Sequence, residues 1–179
     1  AAGERGMASH PGREAEFREG VALALAYARV LDVPRLHCMA GLRRAGDSDA
    51  QARATFVANL RHAAQAFAAD GRTLLVEPIN AFDMPGYALT TVDDAIGLIA
   101  DVGAPNLQLQ FDLYHQQRMR GELVATLRRH LPHIGHIQIA DNPGRGEPGS
   151  GEVAWTNVLS AIEASGYAGW VGLEYFPLD

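Results

Sequence analysis

Apolar positions recur along this chain in two alternating rhythms. Short aliphatic runs are separated by longer stretches in which apolar side chains return every three or four residues, the spacing that gives a helix one buried stripe. Residues 11–31 carry apolar Phe17, Val21, Leu23, Leu25, Tyr27 and Val30 and predict a helix with Pro11 near its start. Residues 35–40 predict a short strand ending at Gly41. Ser48 with Gln51 three positions on reads as a capping box, opening an Ala-rich helix that stops at Gly71. The alternation then continues through strand 73–77, loop 80–89, helix 92–102, strand 107–112, loop 113–120, helix 122–130 and strand 136–140. A Gly- and Pro-bearing segment 141–151, helix 155–165 and strand 170–175 complete it. Five strands alternating with five helices predict a parallel sheet with the helices outside it. No linker or low-complexity tract divides residues 1–179, so a single domain is expected.

Four of the strands carry a polar side chain at or near the carboxyl end: Glu77, Asp112, Gln138 and Glu174. They are 35, 26 and 36 residues apart, close to the roughly 31 residues per unit of an eight-unit barrel of about 250 residues. Side chains alternate faces along a strand. Stepping back by two puts Leu75, Gln110, His136 and Gly172 on the face of these four residues. The opposite face reads Leu74, Val76, Leu109, Phe111, Ile137, Ile139, Val171 and Leu173, uniformly aliphatic or aromatic and fit to pack on helices. A face carrying Glu, Asp and Gln fits a barrel lumen opening on an active site, since a helix-covered surface would not tolerate them. The predicted fold is therefore an α/β, TIM-type (β/α)8 barrel, incomplete at 179 residues, with about five strands present.

Bulk properties narrow the function. The chain is 47% hydrophobic and 20% charged, ordinary for a globular protein. Its net charge of −6 offers neither a basic footprint for nucleic acid nor a cationic face for a membrane. No apolar run reaches the roughly 20 residues that span a bilayer. Cys38 is the single cysteine, so no intrachain disulfide can form and a cytoplasmic setting is expected. The opening residues do not resemble a signal peptide, and the absence of an initiator Met predicts that more chain precedes Ala1.

Three carboxylates and an amide are hard oxygen donors, suited to Mg²⁺ or Mn²⁺ rather than to zinc, which favours Cys and His. Such an ion holds a carbonyl and the neighbouring hydroxyl together and stabilises an enediolate. Two carboxylates on opposite sides of it can take a proton from one carbon and return one to the next. Glu77 and Glu174 have the reach for that pair. A single Glu at a strand end is as well explained by a solvated surface; four positions in phase on one face are not. His115, three residues past Asp112, could bond a substrate oxygen, or lie on the surface. Arg145 could grip a substrate carboxylate or be a solvated loop residue, and Arg5 is a weaker candidate of the same kind. His136 reads as filling the lumen. No nucleophile elbow or Walker loop occurs, and the run Gly144 to Gly151 has no helix start to receive a phosphate.

The segments Val76-Glu77-Pro78-Ile79-Asn80, Asp83-Met84-Pro85-Gly86, Phe111-Asp112-Leu113-Tyr114-His115, Ile134 through Asp141 and Gly169 through Tyr175 together resemble the hydroxypyruvate isomerase family. Ala2-Gly3-Glu4-Arg5-Gly6 and Arg145-Gly146-Glu147-Pro148 extend the match. That family lies among the xylose isomerase-like (β/α)8 barrels. The resemblance implies reversible conversion of hydroxypyruvate to tartronate semialdehyde and a place in glyoxylate metabolism. It implies Glu77 and Glu174 as the catalytic pair, and Glu77, Asp112, Gln138 and Glu174 as ligands of Mg²⁺ or Mn²⁺. His115, Arg145 and Arg5 would bind substrate. Related epimerases use His where this chain has Gln138. A sister group acting on 2-oxo-tetronate carries the same motifs. Family members also have about three βα units before the part present here, so these strands correspond to numbers four to eight. Such a remnant exposes sheet edges, which predicts either further chain or association with another copy. Two readings of other kinds compete: an endonuclease of this fold, which needs several His-rich zinc sites, and a truncated barrel kept as a binding scaffold. The intact Glu–Asp–Gln–Glu set favours the isomerase.

Overall fold

A computed structural model describes residues 4–177; Ala2 and Gly3 of the N-terminal motif lie outside them. Helix α1 spans Glu14–Leu31, β1 Arg35–His37, α2 Asp49–Ala69, β2 Thr73–Val76 and α3 Val92–Val102. Then follow β3 Leu107–Asp112, α4 Leu113–Met119, α5 Leu123–His130, a single 3₁₀ turn at Leu131–His133, β4 Ile134–Ile139, α6 Trp155–Ala164 and β5 Val171–Leu173. The strands form one sheet in the order β1-β2-β3-β4-β5, each neighbouring pair parallel. This is the order that right-handed βα units generate when each strand is laid beside the last. The sheet curls, because Glu77 just past β2 and Glu174 just past β5 reach one connected side-chain network. Five units thus make an open part of a parallel barrel. Among the described residues no helix is long and apolar enough to cross a membrane.

The helix boundaries follow local chemistry. Ser48 accepts from the Gln51 N–H, and the Gln51 side chain accepts from the Ser48 N–H, the predicted capping box of α2. Thr91 caps α3 by accepting from the Asp94 N–H, and Gly103 closes it in the left-handed conformation, φ 68°, where a side chain would strain the backbone. Helix α1 begins three residues later than expected, since Pro11 and Gly12 lie in a turn ahead of it. Strand β1 stops at His37; beyond it Ala40 pairs in an isolated antiparallel bridge with Gly6.

The segment 113–120, expected as a loop, is mostly helix α4. Asp112 is its cap, accepting from the Tyr114 N–H at 2.8 Å and the His115 N–H at 3.4 Å. Seven residues are too few to display a helical period, and a capping Asp directly after a strand masks the transition.

The two faces of the sheet differ as alternation predicts. Leu74, Val76, Leu109, Phe111, Ile137 and Ile139 are buried in one core with Phe56, Leu60, Phe67, Leu98, Leu127 and Val158 from the helices. Each such side chain contributes about 1.5–3 kcal/mol through the apolar surface it removes from water, which holds the opposite, polar face toward the lumen. Strand β5 departs from the pattern. Leu173 is 63% exposed and Trp170 73% exposed, because no helix among the described residues follows β5 to cover it.

Candidate active site

In a parallel sheet all strands deliver their carboxyl ends to one rim, so the residues there converge without any long loop being needed. Asp112 pairs in register with Gln138, and Gln138 with Gly172, two residues before Glu174. A chain of amides links the acids. The Gln110 side-chain amide donates to Glu77 Oε2 at 2.9 Å and to Gln138 Oε1 at 2.6 Å, and Gln138 Nε2 donates to Glu174 Oε2 at 2.6 Å. All four ligand candidates are brought to one place: Glu77, Gln138 and Glu174 through this chain, and Asp112 through His115 and Arg145.

Glu77, Asp112 and His115 are all buried, and a donor atom from each lies within 4.8 Å of the others. His115 Nε2 stands 3.7 Å from both Glu77 Oε1 and Asp112 Oδ2. Burial above all, then the nearby charges of Asp112 and Glu174, holds the Glu77 carboxyl well above its ordinary pKa. Burial likewise pushes Asp112 up to about 6, against the opposing pull of Arg145. Burial depresses His115 to about 3, so its approach to the carboxylates is no ion pair at neutral pH. His37, on β1, reaches to 3.5 Å from Glu77 Oε2 and is lowered by burial to about 4.

Glu77 Oε1 and Asp112 Oδ2 are buried without a hydrogen-bond partner. An unpaired buried carboxylate oxygen is costly. Two of them, facing one point among raised carboxyls, fit a divalent cation, and oxygen donors select a hard one. Two neutral histidines in one small cluster do not make the several His-rich zinc sites that the endonuclease reading needs.

Arg145 enters from the loop after β4. Its Nη2 is 2.9 Å from Glu174 Oε1 and 3.7 Å from Asp112 Oδ2, and its guanidinium stands 5.2 Å from the Tyr114 ring centroid. It lies against the site's own acids. The loop is tied down by Asp141, which is buried and accepts from the N–H groups of Asn142, Gly149 and Val153 and from Trp155 Nε1. Gly151 admits the close turn: a Cβ there would meet the Asn142 carbonyl oxygen at 2.2 Å and Asp141 Oδ1 at 2.7 Å.

Arg5 is exposed just before the Gly6–Ala40 bridge, and among the described residues it makes no hydrogen bond or ion pair with the site carboxylates. His136 lies one layer deeper, its Nε2 3.1 Å from the Cβ position of Gly172. Three contributors carry little signal in the sequence. Strand alternation puts Gln110 on the lumen face but does not reveal its role. His37 belongs to no ligand spacing. Asn80 sits in a loop whose contacts cross 35 residues of sequence.

The family model for xylose isomerase-like TIM barrels matches residues 1–179. Hydroxypyruvate isomerase of Escherichia coli (strain K12) is 53% identical over 177 residues, covering 99% of this chain and 69% of that protein. The 2-oxo-tetronate isomerase of Cupriavidus necator is 49% identical, covering 99% and 68%. A crystal structure titled AP endonuclease, family 2, from Brucella melitensis superposes with a TM-score of 0.96 at 44% identity, covering 99% of this chain and 69% of that one. The chain spans 65–69% of the length of the first curated relatives it matches.

Proposed function

The chain belongs to the xylose isomerase-like TIM-barrel family, and from that we propose that it serves as the active-site portion, corresponding to strands four to eight of a (β/α)8 barrel, of a cation-dependent isomerase interconverting hydroxypyruvate and tartronate semialdehyde. The observation that carries this reading is the pair Glu77 and Glu174, set at opposite ends of one amide chain beside two unpartnered buried carboxylate oxygens. Glu77, Asp112, Gln138 and Glu174 would hold Mg²⁺ or Mn²⁺. When bound, the ion would polarise the substrate carbonyl and offset the negative charge that develops on its oxygen.

The protein's residues do the rest. One of the two glutamates takes a proton from the hydroxymethyl carbon of hydroxypyruvate. The other delivers a proton to the former carbonyl carbon, while a hydroxyl proton passes between the two oxygens in the balancing sense. Gln110 and Gln138, by donating to these acids, hold them in place. His115 faces the gap between Glu77 and Asp112 and serves a substrate oxygen. Arg145 is poised to exchange its hold on Asp112 and Glu174 for the substrate's carboxylate. Arg5, on the segment joined to the end of β1, completes the binding set. Nucleic acid has no role in this reading, in keeping with the net charge of −6.

The 49% identity to a 2-oxo-tetronate isomerase favours a second reading, the same proton shift on a four-carbon oxo acid. Turnover of the two acids, followed by proton NMR with Mn²⁺ or Mg²⁺ present, separates the readings. In Glu174→Gln, assayed at a Mn²⁺ concentration that saturates the weakened site, we expect kcat to fall by about 10²- to 10⁴-fold. Unchanged turnover in that variant would remove Glu174 from the proton relay. A full rate after removal of divalent ions would contradict the cation-dependent chemistry.

A further inference from the structure

Asn80 follows β2 by four residues and is completely buried. Its carboxamide uses every hydrogen-bonding position it has. Oδ1 accepts from the backbone N–H groups of Phe82 at 3.1 Å and Asp83 at 2.8 Å. Nδ2 donates to Asp83 Oδ2 at 2.9 Å and meets His115 Nδ1 at 2.7 Å. The orientation of this amide is fixed by its neighbours. Turned over, it would set NH₂ against two N–H donors and its oxygen against the Asp83 carboxylate. The Asn80 backbone N–H also points at His115 Nδ1, at 3.4 Å. Two donors therefore converge on Nδ1, which must present its lone pair to them.

We infer that Asn80 is a positioning residue that fixes the tautomer of His115, keeping the ring proton on Nε2. That nitrogen faces Glu77 Oε1 and Asp112 Oδ2, each 3.7 Å away. An N–H there is a donor, ready for a substrate oxygen or a carboxylate, and it cannot coordinate a cation. Coordination through Nε2 would require the proton on Nδ1, where it would collide with two other donors. His115 is thus excluded from the ligand set although its distances qualify it, and the cation is left to oxygen donors. The tautomer assignment stands on the hydrogen bonds alone; its service to substrate rests on the isomerase reading.

Long-range proton–nitrogen NMR of the full chain reads the tautomer without any turnover. His115 is one of seven histidines, and its signals are identified by their disappearance in His115→Gln. In the unsubstituted protein we expect an unprotonated Nδ1 and a protonated Nε2, unchanged when Mg²⁺ is added. In Asn80→Asp the facing carboxylate accepts instead of donating, so the pattern is expected to reverse. Asn80→Ala, which keeps the backbone donor but loses the amide, is expected to give a mixture. The KM for the oxo acid in Asn80→Asp should rise about tenfold, the effect of losing one hydrogen bond. A protonated Nδ1 in the unsubstituted protein, or loss of the Nε2 proton on adding Mg²⁺, would overturn the inference. So would an unchanged His115 pattern in both Asn80 variants with the other histidine signals unmoved. An inactive chain with the expected tautomer would refute the isomerase reading and leave this one standing.

Discussion

Asp112 ends a strand and begins a helix, and its two oxygens divide the work. Oδ1 caps α4 through two backbone N–H groups, while Oδ2 is left unpartnered toward Glu77 and His115. Capping at a helix N-terminus favours the ionised form, but burial wins and pushes the carboxyl up to about 6, with Glu77 raised in the same direction. A raised pKa means that the proton is held below about pH 6, where an incoming cation must displace it. Mn²⁺ affinity measured by calorimetry is therefore expected to climb as pH rises through 6, by up to about tenfold per pH unit. A flat profile from pH 5 to 8 would contradict the assignment. The four strand-end residues were legible in the sequence because strand alternation is a local rule. Asn80 and His37 were not, because what defines them is a neighbour that only the sheet brings near.

The loop between β4 and α6 is the element on which the proposed hold of Arg145 on the substrate turns. Asp141 gathers four donors and so aims Arg145, whose own backbone sits at φ 53° and whose carbonyl accepts from the Phe176 N–H. Read from composition, this segment is a Gly- and Pro-rich loop without order. One buried carboxylate gives it a defined path, and nothing in the sequence pairs Asp141 with Trp155. In Asp141→Ala three backbone N–H groups, that of Asn142 buried, and the indole lose their acceptor. We expect a loss of roughly 3 kcal/mol, seen as a lower urea midpoint, together with a higher substrate KM. A stability change below about 0.5 kcal/mol would show that the loop is held by other means. The start of helix α4 is hidden in the sequence for another reason: its cap, Asp112, is also the last residue of β3.

At the scale of the molecule, β1 and β5 are open edges of the sheet, and exposed Leu23, Tyr27, Val30 and Leu31 line one side of α1. Strand order, parallel direction and the aliphatic outer face of β2, β3 and β4 were all predictable from alternation. The exposure of Leu173 was not, since it depends on what covers β5 rather than on β5 itself. Unpaired edges and apolar faces invite association, so the 179-residue chain studied alone is expected to self-associate with rising concentration in sedimentation experiments. A monomer at every concentration would show that these edges are protected. The curl of the sheet is what allows four separate strand ends to act as one centre, and Mn²⁺ titration of the chain tests that most directly. One ion per chain is expected, with affinity falling at least about tenfold in both Glu77→Gln and Asp112→Asn, the effect of losing one charged ligand. Binding as tight in those variants as in the unsubstituted chain, or no binding at all, would contradict a shared cation site and the isomerase built on it.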